Sequence, residues 1–470
     1  MNALTSNPTP ASTPAQAAAA IIAAFNSKTE KSKALSAQNR RVLSDKSAIG
    51  VPFSLMAKEA LYPIVVDRAE GTALHDIDGN RYIDVLMGMG INLFGHNPPF
   101  IRDAIEAQLA KGFALGPQSD LAGETAALFC KLTGKERVTF TNTGTEAVMT
   151  ALRLARAATG RRKIAMFIGS YHGHSDQVLN RIAAPDDERT VPAFPGISPA
   201  TAEDVVLLPY DDPRALEILE RDGETFAAVL VEPVQSRNID VQPRAFLHVL
   251  RDVTQRTGAV LIFDEMISGF RVAPGGAQQH FEVEADLATY GKIAGGGLPL
   301  ALIAGSNRLM NHIDGGPWSF GDESVPPAQP TFFAGTYCRH PLALAAARAA
   351  ATYMLQQGRS LQDGLNARTR SLVERLNVSL AAARLPVVFT QFGSFFSIAV
   401  NRSRIPPLAL GLLSLELLTA GIHLRSGDKG GFLSTAHSDG DITAIHDAFL
   451  NGLQSLAGFG LIPLSDGTTP

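Results

Sequence analysis

The sequence predicts an α/β protein, with a mainly parallel central sheet in a large domain and a smaller α+β domain on its C-terminal side. Two observations carry this. Ala227–Val231 and Ala259–Phe263 are short and wholly apolar, so strands formed there are covered on both faces, and a helical pattern over Arg244–Arg256 separates them. From about residue 98 helical and strand patterns alternate, as they do where helices cross between parallel strands.

In chain order, residues 1–14 (MNALTSNPTPASTP) read as disordered, being rich in Pro, Ser and Thr. Residues 15–48 carry one or two helices with Lys and Arg clustered at 28–46. Residues 1–48 are thus expected as a flexible or helical arm, either packed on a partner subunit or mobile. Residues 49–97 form the N-terminal segment of the small domain. There the strand-like stretches Ile64–Arg68, Ala73–Asp76 and Tyr82–Leu86, with turn chemistry at Asp78-Gly79-Asn80, predict a hairpin or meander. Residues 98–340 form the large domain. Phe100–Lys111 and Ser119–Leu132 are helical, the second stopping at Gly134; Arg137–Phe140 and Lys163–Ile168 are strands. Between those strands Gly144–Thr159 puts Val148, Ala151, Leu152 and Ala155 on one helical face and ends at Gly160. Residues 341–470 form the C-terminal small domain, opening on an Ala-rich helix from Pro341 to about Gln356.

Composition narrows the function. A chain of 470 residues, 45% hydrophobic and 18% charged, is globular and large enough for two or three domains. A net charge of −4 argues against nucleic acid or an anionic membrane as the main partner. Two cysteines, Cys130 and Cys338, in so long a chain point to reduced thiols and a cytoplasmic protein. No signal peptide is expected, because residues 1–20 place no Lys or Arg ahead of an apolar block, and no apolar run reaches the roughly 18 residues of a membrane span.

Ligands of open α/β sheets sit beyond the carboxyl ends of the strands, so the residues just past each strand are the first candidates for a site. After Arg137–Phe140 comes Thr141-Asn142-Thr143-Gly144-Thr145 at a helix start. Free N–H groups, a close-approach glycine and two hydroxyls suit a phosphate, although an ordinary Thr cap reads the same way. After Lys163–Ile168 comes Tyr171-His172-Gly173-His174: a tyrosine able to lie against a flat ring, and two histidines in a polar turn, one of them near cofactor or substrate. No further ligands suggest a metal. After Ala227–Val231, Glu232 and Gln235 offer a carboxylate and an amide; Glu232 equally suits a structural pair with an arginine. After Ala259–Phe263, Asp264 stands where an unpaired carboxylate is costly. A pyridinium nitrogen would satisfy it, as would the cap of the next turn. Finally Lys292 comes directly after Gly291 and precedes Gly295-Gly296-Gly297, the reverse order to a phosphate-loop lysine, and suits Schiff-base chemistry, with a surface lysine as the alternative. Phosphate, ring, protonatable ring nitrogen and aldehyde together describe pyridoxal 5′-phosphate (PLP).

The stretches TNTGTEAVMTALRLARAATGR, SYHGHSD, VEPVQS, FDEMISGFR, ADLATYGKIAGGGLP and FAGTYCRHPLALAAA resemble the class III aminotransferases of PLP fold type I over about residues 60–455, closest to the glutamate-1-semialdehyde aminomutase branch. GPQSDLAGE, VQPRAFLHVLR, WSFGDESVPP and GFLSTAHSDGDI carry a finer resemblance to the aminotransferase domains of hybrid polyketide/nonribosomal peptide synthetases of the mycosubtilin type. The resemblance implies roles. Lys292 would hold PLP as an imine and later shuttle the proton, Asp264 would pair with the ring nitrogen, and Tyr171 would stack on the ring. Thr143, Gly144 and Thr145 would bind phosphate, and Thr336 would reach the phosphate of the neighbouring subunit. Gln235 would sit near the ring hydroxyl, Glu232 would hold the polar network, and a homodimer would share its sites. It implies an amino acid donor, a carbonyl acceptor and, where that acceptor is carrier-bound, an acyl or peptidyl carrier protein. The aminomutases carry a carboxylate-binding arginine near the equivalent of residues 53–60, where this chain has FSLMAKEA with Lys58 as its one cation. That departure favours an acceptor with a masked acid, such as a β-ketoacyl thioester, with the aminomutase reaction or an omega-transaminase acting on small free ketones or aldehydes as alternatives. Arg271 and Arg425 are candidates for a donor's carboxylate or for structural pairs. Trp318–Pro327 reads as an entrance lid or a plain loop.

Overall fold

The computed structural model describes residues 13–45, 53, 55, 57–184, 187–425, 427 and 429–464. Of the stretch expected as disordered, residues 1–12 lie outside it, as do Ser54 and Met56 of FSLMAKEA. Thr13 and Pro14 already belong to a helix, Pro14–Lys28, which Thr13 caps through its hydroxyl. A second helix, Glu30–Asn39, comes next.

The strands, in chain order, are β1 Val66–Glu70, β2 Ala73–Asp76, β3 Arg81–Asp84, β4 Arg137–Thr141, β5 Lys163–Phe167, β6 Asn180–Ala184, β7 Asp187–Pro192, β8 Val205–Leu208, β9 Phe226–Val231, β10 Val260–Asp264, β11 Leu287–Tyr290, β12 Ala301–Gly305, β13 Phe389–Phe392, β14 Phe395–Ile398, β15 Ile422–His423 and β16 Gly431–Phe432. Seven of them form the central sheet in the order β4-β12-β11-β10-β9-β5-β8. Only β12 runs against its neighbours. Strands β4, β5, β9, β10 and β11 therefore end on one edge, and the loops that leave them converge there.

Period-two patterning explains why this sheet sits in the middle. In β9 and β10, Val229, Val231, Leu261 and Phe263 enter one apolar cluster, while Ala228, Leu230, Val260 and Ile262 enter another on the opposite face. The helix Gly144–Thr159 covers the second face with the alanines, valine and leucines its spacing predicts, and it stops at Gly160 in the left-handed conformation. Strands at Val205–Leu208, Leu287–Tyr290 and Ala301–Gly305 are not among those expected from the sequence pattern. All three are short and are placed by pairing rather than by a long pattern.

The meander β1–β2–β3 is present, and β3 pairs in parallel with β15 from the far end of the chain. Its Leu74, Tyr82 and Val85 share a cluster with the helices Ser360–Ala382, Pro407–Thr419 and Asp439–Gly458. The helix Pro341–Gln357 buries Ala343–Ala347, Ala350 and Met354 in the large-domain cluster, so it packs there although it lies past residue 340.

The helix Pro14–Lys28 places Ala17, Ala18, Ile21, Ile22 and Phe25 in the small-domain cluster of its own chain, with the Phe25 and Tyr62 rings 5.2 Å apart. Phe25→Ala is therefore expected to cost about 3–5 kcal/mol in chemical denaturation of the small domain. An unchanged midpoint would mean that this helix does not hold to the core.

Candidate active site

The loops at the carboxyl edge of the sheet enclose a cavity of about 280 Å³ whose lining includes Thr143, Gly144, Thr145, Tyr171, His172, Glu232, Asp264 and Lys292. These are eight of the ten residues singled out from the sequence. The other two do not line it. Gln235 turns its amide away and donates to the Ile168 carbonyl (2.8 Å) and the Ser170 hydroxyl (2.9 Å), tying down the loop that carries Tyr171. Thr336 is exposed.

The floor is built from acids that the fold holds in place. Asp264 closes β10 and is buried; its Oδ2 lies 2.8 Å from His172 Nδ1 and its Oδ1 accepts the Met266 N–H at 3.1 Å. His172, which the sequence places in a polar turn, is thus the partner of Asp264. Its Nε2 is buried and has no protein partner, a polar atom directed to something besides the chain. Glu232 stands just past β9 and accepts the N–H groups of Tyr171 (2.8 Å) and Ser236 (3.3 Å). Burial pushes its carboxyl up, and Asp264 adds to the rise against the opposing pull of His172.

Lys292 is separated from β11 by one glycine and is held at φ 37°, which a non-glycine residue adopts only when its surroundings impose it. Burial lowers the pKa of its amine; the charges of Asp264 and Glu232 oppose this, and Arg271 and Arg425 reinforce it. The amine is therefore biased towards its neutral, nucleophilic form.

At the opposite end Thr143 and Glu146 form a capping box: the Thr143 hydroxyl accepts the Glu146 N–H at 3.2 Å and the Glu146 carboxylate accepts the Thr143 N–H at 3.3 Å, with the Asn142 N–H adding a bond at 2.7 Å. Gly144 and Thr145 line the cavity, and their N–H groups, in the first turn, have no acceptor within the helix, as suits an anion site. Met266 is a site residue that the sequence pattern does not pick out. Its Sδ would sit 2.8 Å from a Cβ at residue 144 and 2.6 Å from one at residue 291, so it wedges between the two glycines. The pairing of glycines at 144 and 291 is the one sequence signal that bears on it.

The residues present fit PLP: a helix-end anion site, a carboxylate floor with an unpartnered histidine nitrogen beside it, and a neutral-biased lysine share one small cavity. Among the described residues no group of three or more His, Cys, Asp or Glu could hold a metal ion, and no helix is long and apolar enough to cross a membrane.

The arginines divide. Arg271 is buried, donating to Ser394 Oγ at 2.9 Å, to the Ile267 carbonyl at 3.2 Å and to the Gly90 carbonyl, and it lies against the Phe432 ring. It serves the junction between the two cores. Arg425 lies over the Phe395 ring, 5.2 Å from its centroid, and lines a second hollow together with Leu86 and Met89. Lys58 is exposed and lines neither.

The chain is similar to known proteins in family, sequence and fold. The family described as aminotransferase class-III matches residues 55–425. A glutamate-1-semialdehyde 2,1-aminomutase of Chloroflexus aggregans is 37% identical over 411 residues, covering 82% of this chain and 90% of its own. A solved transaminase with PLP bound superposes with a TM-score of 0.81 at 30% identity, over 91% of this chain and 98% of its own. An omega-transaminase from Sphaerobacter thermophilus gives 0.80 at 31%, with the same coverage.

The cavity's walls make two outcomes testable. Gly173 has φ +91°, and a Cβ there would lie 2.5 Å from the Thr145 hydroxyl. Gly173→Ala is expected to weaken PLP binding by about tenfold or more in equilibrium titration, with far-ultraviolet circular dichroism unchanged. Borohydride trapping of added PLP on the apoprotein should select Lys292, with a midpoint below the ordinary lysine value of 10.5. A midpoint at or above 10.5 would contradict the burial argument.

Proposed function

Because the chain belongs to the class III aminotransferases, PLP-dependent enzymes, we propose that it moves an amino group from an amino acid donor to a keto or aldehyde acceptor, the acceptor being a β-ketoacyl thioester or related polyketide or lipopeptide intermediate. The observation that carries this reading is the placement of cations. The FSLMAKEA segment brings no arginine and its Lys58 is exposed, whereas Arg425 lines a hollow close enough to act on Lys292. Arg425 can meet one carboxylate, the donor's, while among the described residues the FSLMAKEA segment brings no arginine for a second on the acceptor.

When bound, PLP supplies the carbonyl carbon that takes up the amine and the ring that draws electrons from the carbon bearing it. The chain's residues do the rest. Lys292 would hold the cofactor through Nζ and, once freed by the donor, would take the proton of the donor's carbon onto Nζ. Asp264, oriented by His172 and the Met266 N–H, keeps the ring nitrogen protonated. Tyr171, with Arg237 against its ring at 5.5 Å, stacks on the cofactor. The N–H groups of Gly144 and Thr145 and the hydroxyls of Thr143 and Thr145 hold the phosphate. Glu232 fixes the Tyr171 backbone, and Gln235, by tethering residues 168–170, sets the same loop.

Trp318, Phe320, Val325, Phe332 and Tyr337 are exposed apolar side chains close in sequence to Thr336. They support a homodimer in which Thr336 reaches the neighbour's cofactor phosphate and Trp318–Pro327 borders the entrance. A carrier protein presenting the acceptor and a cytoplasmic location belong to the same reading. The similarity to aminomutases favours a second reading, transfer within one molecule of glutamate 1-semialdehyde; similarity to an omega-transaminase favours small free ketones as acceptors.

A half-reaction screen separates these. Amino acids should bleach the visible band of the bound cofactor, and β-ketoacyl thioesters should restore it better than free small ketones. Turnover of glutamate 1-semialdehyde alone, with no external donor, would replace the proposal by the aminomutase reading. Lys292→Ala should lower turnover at least about a thousandfold while PLP still binds without a covalent link.

A further inference from the structure

Beside the cofactor cavity lies a hollow of about 530 Å³ lined by Val66, Leu86, Met89 and Leu424, with His423 and Arg425 among its polar members. Two parts of its wall hang on one buried carboxylate. Asp84, the last residue of β3, accepts from His96 Nε2 at 2.7 Å, His423 Nδ1 at 2.8 Å and the Leu86 N–H at 2.9 Å. Burial alone would push this acid up, but the hydrogen bonds from His423 and His96 outweigh it and hold the carboxyl below the usual range. An ionised carboxylate only accepts, so both facing ring nitrogens carry protons. His96 Nδ1 is then free to accept from Asn92 Nδ2 at 3.1 Å.

His423 and Asp84 are also register partners in the parallel pairing of β15 with β3. Arg425 follows His423 by two residues on one segment and both line the hollow, so fixing His423 restrains where Arg425 emerges. Through the Leu86 N–H the same carboxylate anchors the entry to Met87–Gly90, where four consecutive residues have φ of 48°, 61°, 59° and 87°. Met87 and Met89 carry a conformational cost there and need an anchor. Met89 lines the hollow and Ile91 lines the cofactor cavity, so this turn is the wall between them.

We propose that Asp84 is a positioning residue for substrate recognition: by clamping His423 and the Met87–Gly90 turn it sets Arg425 and Met89 around the hollow that receives the donor's carboxylate. This rests on Arg425 as the carboxylate-binding cation.

The test uses the PLP-loaded enzyme and two donors of similar size, L-alanine and isopropylamine, which differ by the carboxylate, each read by bleaching of the visible band. His423→Leu removes the donor to Asp84 and should raise the half-saturating concentration of L-alanine about tenfold, with the saturating rate within about twofold and isopropylamine unaffected. His423→Gln, which keeps an N–H for Asp84, should recover most of the loss, and Asp84→Asn serves as a second variant should His423→Leu fail to fold. Equal losses with both donors, a fall in saturating rate alone, or no rescue by glutamine would overturn the proposal. Arg425→Ala separates it from its premise. If that variant leaves L-alanine unaffected, the carboxylate reading of Arg425 is wrong and the inference falls with it. If it raises half-saturation while His423→Leu does not, the inference alone is refuted.

Discussion

The contact on which the site depends is the 2.8 Å bond between His172 and Asp264, two side chains almost wholly removed from water. A carboxylate at the end of an apolar strand is unfavourable without a partner, and removing one member of such a buried pair costs about 3–5 kcal/mol. The pair also brings together loops from two strands, β5 and β10, with β9 between them in the sheet. The loop after β5 therefore cannot swing away without stranding Asp264, and the position of Tyr171 is set by that of His172. Glu232, leaving β9, accepts the Tyr171 N–H and closes the arrangement from the middle strand.

The sheet supplies what the pair needs. Six strands point the same way, and the side chains of β9 and β10 alternate between two apolar clusters, which leaves the edge where the loops emerge for the site's polar groups. Burial there is deep enough to bias the Lys292 amine towards neutrality and open enough to leave a cavity. Met266 refines this. A thioether pressed against two glycines fixes the distance between the helix start at Gly144 and the Gly291–Lys292 turn, that is, between the anion end and the lysine end of the cavity.

The fold class is legible in the sequence because the runs Ala227–Val231 and Ala259–Phe263 are apolar at every position and the helix Gly144–Thr159 has caps at both ends. Asp264 is legible because it follows the apolar run Ala259–Phe263, and Lys292 because Gly291 precedes it and Gly295-Gly296-Gly297 follow. The features that are not legible depend on three-dimensional pairing. Nothing local in Tyr171-His172-Gly173-His174 distinguishes the histidine that meets Asp264, 92 residues away, from the one that does not. Gln235 has the composition of a cavity residue but commits its amide to a loop. The helix Pro14–Lys28 reads as an arm because its apolar face is short, and the matching surface of Pro407–Thr419, with Ala60 and Tyr62, gives that face a home within the same chain.

The small domain has its own constraint. Its β15 has only two residues, too short to define a register by backbone pairing alone, yet it carries His423 and leads to Arg425. Side-chain bonds must supply the missing specificity, and Asp84 is the residue in register with His423. Two of the three groups that Asp84 holds, His423 and Leu86, line the hollow and not the cofactor cavity, whose acids are held by the loops of the central sheet. The two cores thus divide the work. The large domain fixes the reacting groups through His172 and Asp264. A separate buried carboxylate in the small domain fixes the walls that a substrate would meet, so changes in those walls can alter what is bound while leaving the arrangement around Lys292 in place.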